Sequence, residues 1–310
     1  MKSRLLPAAV MLAVSTPVFA HCGGAFCTLN TNWDTQGVWD KPGVRIDLRA
    51  EYIDLDQLRE GTHKTGPAGV VDTHDEVRTL NRNFIGTLDY SFSPEWGVSL
   101  RVPLMNRYHN HIFNNAAGPE SETWRFTEIG DIQAVARYAF YQGMNDTAGV
   151  RFGLKLPTGS ISQSNGSEKA ERSLQPGTGS TDGVLGLYYN RREGAANWFV
   201  QGTWQQVIHE RDDFRPGRQL ALDAGVSYAA TPDWSLMLQV NAQHKSRDSG
   251  ANAEAEDSGG RYVFLTPGVS YKASKDIQVY GFIQKPIYQD VNGVQLTADW
   301  SAAMGVSMQF

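Results

Sequence analysis

The feature that most constrains this chain is a period-two alternation that recurs along most of its length. Val44, Ile46, Leu48, Ala50 and Tyr52 form one apolar face, and Arg45, Asp47, Arg49 and Glu51 between them are all charged. Val98, Leu100, Val102 and Leu104 alternate with Ser99, Arg101, Pro103 and Met105. The same holds for Val150 to Leu156 and for Leu236 to Gln243. Such alternation marks strands whose two faces meet different surroundings. One strand alone fits a soluble sandwich as well as a membrane barrel. After residue 20 no apolar stretch approaches the ~20 residues of a membrane helix, and mean hydropathy is −0.39.

The connections separate these alternatives. Short turns at Ser93-Pro94-Glu95, Gly143 to Thr147, Gly194 to Asn197, Thr231-Pro232-Asp233 and Ser274 to Asp276 alternate with long polar segments near 55–76, 109–124, 159–181, 209–218 and 247–260. Short turns on one rim and long loops on the other are a property of outer-membrane barrels. Aromatic residues flank the turns, as in Tyr90 to Trp96 and Tyr228 to Trp234, where a membrane interface would hold them. The final segment alternates to its last residue, with Ala302, Met304, Val306, Met308 and Phe310 on one face. A strand that runs to a terminal aromatic must be paired there; the segment also resembles the C-terminal recognition segment of outer-membrane proteins, which implies Phe310 as the signal read by the barrel-assembly machinery. The pattern predicts twelve strands between residues 43 and 310, the last two covering 276–289 and 295–310. The fold class expected is all-β, a transmembrane antiparallel barrel embedded in outer-membrane lipid.

The first twenty residues read as an export signal: Lys2 and Arg4, a short apolar stretch from Leu5 to Val14, then Val18-Phe19-Ala20 for cleavage. A lipoprotein at Cys22 is the weaker alternative, because His21 stands where a small residue is expected. Cleavage removes Lys2 and Arg4, leaving 26 of the 28 basic residues against 33 acidic ones, so the net charge moves from −5 to −7. That balance argues against a nucleic-acid partner. Cys22 and Cys27 would meet an oxidising periplasm, so a local disulfide is the first reading and a metal site with His21 the alternative. Residues 21–42 are expected to form a plug or a periplasmic docking segment ahead of the barrel at 43–310.

The inward faces are expected to carry Arg45, Arg49, Arg101, Arg107, Arg137, Arg151 and Lys155, opposed by Asp47, Glu51, Asp89, Asp131, Asp223 and Asp299. A charged lumen can set selectivity, or it can be a structural network of paired charges. His109 and His111 are spaced to bind a metal from one strand face, but histidines in an exposed loop are more often solvated. No cofactor or metal is therefore assigned. Enzymatic activity is not expected, since no Gly-x-Ser-x-Gly occurs and no histidine has a supporting serine motif.

Gly130-Asp131-Ile132-Gln133 with Arg137-Tyr138, Gly153 to Gly159, Gly177-Thr178-Gly179 with Asp182, and Pro286 to Gln289 with Asn292-Gly293 and Gln295-Leu296 resemble segments of the outer-membrane family named for the meta-pathway of phenol degradation. The resemblance covers roughly residues 80–310. It implies a channel for small hydrophobic or aromatic molecules and is the sole source of that cargo class. The rival expectation is a structural or partner-binding barrel with a filled lumen, whose N-terminal segment docks a periplasmic protein.

Overall fold

The computed structural model describes residues 42–166 and 168–310. The export signal, the Cys22–Cys27 pair and the segment 21–41 lie outside the described residues. Among the described residues there are fifteen strands: β1 (Gly43–Leu55), β2 (Gln57–Gly61), β3 (His63–Lys64), β4 (Thr73–Ser91), β5 (Trp96–Asn115), β6 (Gly118–Ile129), β7 (Ile132–Gln142), β8 (Asp146–Leu156), β9 (Thr181–Glu193), β10 (Ala196–His209), β11 (Gln219–Ala229), β12 (Trp234–Lys245), β13 (Gly260–Lys272), β14 (Ile277–Thr297) and β15 (Ser301–Gln309). β6 and β7 are one wall strand broken at Gly130-Asp131, since they pair with the outer and inner parts of β5. With β2 and β3 set aside as an outer hairpin, twelve antiparallel strands close into a barrel. β15 seals it against β1, from Arg45 opposite Gln309 to Ile53 opposite Ser301. The last residue is held too: Phe310 N–H donates to the Val44 carbonyl at 2.8 Å. A closed ladder leaves no edge to lipid, where an unpaired backbone group is costly.

The polarity is inverted relative to a soluble protein. Arg45, Asp47, Arg49 and Glu51 are buried inside, while Leu48 is 50% exposed. Phe84, Leu88, Leu187, Leu222, Leu236 and Met304 are likewise exposed. A continuous apolar belt of this kind needs lipid around it. At the short-turn end the belt finishes in aromatic pairs, Trp96 with Tyr138 at 4.5 Å and Trp234 with Tyr271 at 4.8 Å between ring centroids. At the other end it finishes near Tyr52, stacked on Trp300 at 5.6 Å. Outward-facing Arg82, paired with Tyr52 across the ladder, marks the outer border.

Antiparallel order puts residues 92–95, 143–145, 194–195, 230–233 and 273–276 on the periplasmic rim. It puts 56–72, 157–180, 210–218 and 246–259 on the outer rim. Three expectations are corrected. The segment 109–124 is not a loop, because β5 and β6 continue past the lipid to a tight turn at Ala116-Ala117. β4 begins at Thr73, so the end of 55–76 is also strand. β14 continues through Asn292-Gly293 to Thr297, where its outer part pairs with β2, and the final strand begins at Ser301 instead of 295.

Candidate functional site: the barrel interior and its inward loop

The interior is built from polar side-chain pairs, most of them across strands. Arg45 Nη2 lies 2.7 Å from Asp89 Oδ2, and Arg49 Nη2 lies 2.8 Å from Glu51 Oε1. Tyr280 donates its hydroxyl to Asp47 at 2.9 Å. Asp223 accepts from Asn241 at 2.9 Å and from Gln201 at 3.3 Å. Asn241 accepts in turn from the Thr266 hydroxyl at 2.7 Å. Arg137 reaches Ser91 Oγ at 3.0 Å, and Arg151 lies over the Tyr188 ring at 5.4 Å. Arg101 sits on the inward side of β5 in a half-buried position. The wall therefore carries Arg45, Arg49 and Lys155 in ion pairs instead of as bare cations. Asp299 is a correction. It lies in the outer turn 298–300, with its side chain 56% exposed and 2.9 Å from Lys64 Nζ. Its expected inward position followed from starting the last strand at 295.

Four of the interior aromatic rings lie flat along the wall. Tyr188, Phe199, Phe282 and Tyr280 pair directly with Gly149, Gly225, Gly268 and Gly305 on neighbouring strands. A Cβ at Gly268 would stand 2.3 Å from Phe282 Cδ1, and one at Gly305 would stand 2.4 Å from the Tyr280 hydroxyl. Glycine at these positions lets a ring lie flat across the neighbouring backbone instead of projecting toward the barrel axis.

In the outer half the loop 157–180 crosses the interior. Leu174 is 1% exposed and packs with Ala170 against Ile53, Leu55, Leu58, Met105, Trp124 and Leu296. Arg107 ties it to β5 and β4, donating to the Leu174 carbonyl at 2.6 Å and to Asn81 Oδ1 at 2.6 Å. Asp131 holds the near end. Its carboxylate accepts from Lys155 Nζ at 3.0 Å, Thr178 N at 2.9 Å, Thr178 Oγ1 at 2.7 Å and Gly159 N at 3.1 Å. Lys155 Nζ also contacts Asp182 at 3.2 Å and donates to Thr178 Oγ1. Gly159 and Gly177 face each other so closely that a Cβ at Gly159 would lie 2.6 Å from the Gly177 Cα. The break between β6 and β7 makes this possible, because Asp131 is freed from the ladder. The glycine-rich segments that carry the family resemblance thus converge on one tether.

Above Arg82, and so outside the lipid belt, lies a cluster missed as a group in the sequence. His74 and Glu76 come from β4, His109 and His111 from β5, Glu122 from β6, and Glu171 from the inward loop. Glu76 Oε2 lies 3.3 Å from His109 Nε2, His74 Nε2 lies 3.2 Å from Glu171 Oε1, and His111 Nε2 lies 3.1 Å from Glu122 Oε2. Burial, with Glu171 and Glu254 nearby, pushes the Glu76 carboxyl well above the ordinary carboxylate range. The signal was present as His-x-Glu on β4 and His-x-His on β5, both at strand period.

This architecture defines a twelve-stranded outer-membrane β-barrel with an internal loop, and the outer membrane is its place. The chain belongs to the family described as "Putative MetA-pathway of phenol degradation", whose profile matches residues 60–298. No curated protein matches it. Among solved structures it is similar to an outer-membrane channel from Pseudomonas putida F1, at 12% identity and a TM-score of 0.65, over 90% of this chain and 98% of that one. It is also similar to the transport unit of the autotransporter AIDA-I from Escherichia coli, at 11% identity and a TM-score of 0.50, over 93% and 95%. The NanC porin aligns at 13% identity and a TM-score of 0.49, over 86% of this chain and 100% of its own.

Proposed function

We propose that this barrel is a passive channel for small molecules, narrowed on its outer side by the loop 157–180. The observation that carries this reading is the tethered loop itself. A barrel of ~12 strands lies between those filled by side chains and those open as wide pores, and a loop pinned across its interior sets the bore. The rings laid flat on glycines work in the same direction lower down. Hydrophobic or aromatic cargo is favoured by the family and by the apolar and aromatic lining beside the loop, formed by Ile53, Leu55, Tyr262, Phe264 and Leu296. Gln243, Gln284 and Gln289 at its edge offer a few polar contacts.

The network of Asp223, Asn241, Gln201 and Thr266 favours the second reading, a filled barrel that binds a partner. The mature chain in planar bilayers and in liposomes separates the two. Discrete conductance and uptake of small aromatic solutes ahead of sugars of similar mass are expected of the channel. Neither conductance nor uptake, with or without residues 21–42, would overturn it in favour of the partner-binding barrel.

A further inference from the structure

The channel reading leaves the outer histidine–glutamate cluster unused. One ligand atom each from His74, Glu76, His111 and Glu171 lies within 4.8 Å of the others. His74, Glu76 and His111 are buried and Glu171 is half-buried. Paired charge alone accounts poorly for Glu76. It is 2% exposed, and neither carboxylate oxygen accepts a hydrogen bond among the described residues. Its nearest imidazole nitrogens stand at 3.3 Å and 3.8 Å. A buried carboxylate held this way lacks the directed contacts that offset its desolvation.

We propose that His74, Glu76, His111 and Glu171 form a binding site for one divalent transition-metal ion of the zinc class, joining the inward loop to the barrel wall. Two imidazoles and two carboxylates are the donor set such ions take, whereas calcium and magnesium prefer oxygen alone. Ligand bonds of ~2.0–2.2 Å in a tetrahedron place donors about 3.3–3.6 Å apart. Closing from 4.8 Å therefore needs a contraction of about 1.2–1.5 Å at the widest pair, within the reach of side-chain torsions. Supporting contacts are in place. Glu122 accepts from His111 Nε2 at 3.1 Å and orients that ring. His109 is a positioning residue, held by Thr79 Oγ1 at 2.8 Å and set beside Glu76. The His74 and His111 rings stack at 4.6 Å, which fixes their mutual placement. The strands bring three ligands and the loop brings the fourth, so the ion would fasten the loop in its inward position.

The test uses the full mature chain carrying Cys22→Ser and Cys27→Ser, so that thiols near His21 cannot supply the signal. Zn²⁺ is titrated by calorimetry and Co²⁺ by visible absorption, with heat-dependent gel mobility reporting that the barrel is folded. One ion per chain and the strong absorption of four-coordinate Co²⁺ are expected. Glu171→Gln, which removes no bulk, should weaken binding more than ~10-fold, at least what disturbing an outer partner of a ligand costs. His74→Ala with His111→Ala should abolish it. Absence of binding in the parent overturns the site, as does binding unchanged in a folded Glu171→Gln chain and in the double-histidine variant. The site stands apart from the channel reading: a chain that conducts but binds no metal refutes the site alone, and one that binds metal without conducting supports it.

Discussion

Asp131→Ala should release the inward loop. The carboxylate accepts from four donors, and three of them, Thr178 N, Thr178 Oγ1 and Gly159 N, belong to the loop. Hydrogen bonds to a charged group are worth ~1.5–3 kcal/mol each, but donors sharing one carboxylate do not contribute that sum. Removing one partner of a buried ion pair costs ~3–5 kcal/mol. Lys155 keeps Asp182 at 3.2 Å, which places the loss toward the lower end of that range. A loss of ~3–4 kcal/mol shifts the docked loop toward the released state by about 100- to 1000-fold. Arg172, buried in the docked loop, then becomes a tryptic site. Cleavage after Arg172 in folded protein should accelerate by about two orders of magnitude, and single-channel conductance should rise. Asp131→Asn, which keeps an acceptor but loses the charge, should fall between. Wild-type proteolysis and conductance in a folded Asp131→Ala barrel would refute the tether.

Three further outcomes follow from the wall. Gly268→Val places a Cβ where Phe282 Cδ1 now lies 2.3 Å away, so the ring must swing off the wall, lowering conductance and costing ~1–3 kcal/mol in urea unfolding. Deleting Phe310 removes the reciprocal backbone bonds to Val44 at 3.2 Å and 2.8 Å, so membrane insertion should fall while export continues, measured by fractionation of cells. Arg78→Ala breaks the pair with Asp54 at 2.6 Å, half-exposed on the arginine side, and should cost under ~1 kcal/mol at neutral pH. The side-chain bond from Arg78 holds the Asp54 carboxyl below its usual range. Its contribution is present above the unfolded carboxylate value and disappears as pH falls through the folded one, so the two proteins should converge in acid titrations.

The sequence was legible where lipid touches the strands, because there the two faces contrast. Arg45 to Glu51 against Val44 to Tyr52 gives β1 its inside and outside without any coordinates. Beyond the membrane the contrast fades. On β4 and β5 the outward positions become Arg78, Arg82, Asn106 and Asn110, so strand reads like loop. That is why 109–124 reads as irregular from sequence, and why His109 and His111 show only each other there. Their partners His74 and Glu76 are distant in sequence, and only the register of His111 opposite Glu76 brings them together. Asp131 was legible as an inward acid, but its task was not. The task depends on a broken strand and on a loop whose Gly159, 28 residues later, returns to it.

The tether and the proposed metal site act on one loop from two places, and this makes them thermodynamically reciprocal. Thr178 and Gly159 dock at Asp131, Leu174 packs between, and Glu171 meets the histidine wall. If Glu171 can ligate only when the loop lies inward, an ion that binds there stabilises the docked state by RT ln(1 + [M]/Kd), about 2.7 kcal/mol at a hundredfold excess over Kd. That is close to the loss assigned to Asp131→Ala, so Zn²⁺ should restore most of that variant's protease resistance and narrow its conductance again. Linkage requires the converse: Asp131→Ala, which touches no ligand, must weaken Zn²⁺ by the factor through which it releases the loop. Equal Zn²⁺ affinity in the two proteins, with the loop shown by proteolysis to be released in one, would mean that Glu171 contributes nothing to the site and that the ion is held by the strands alone.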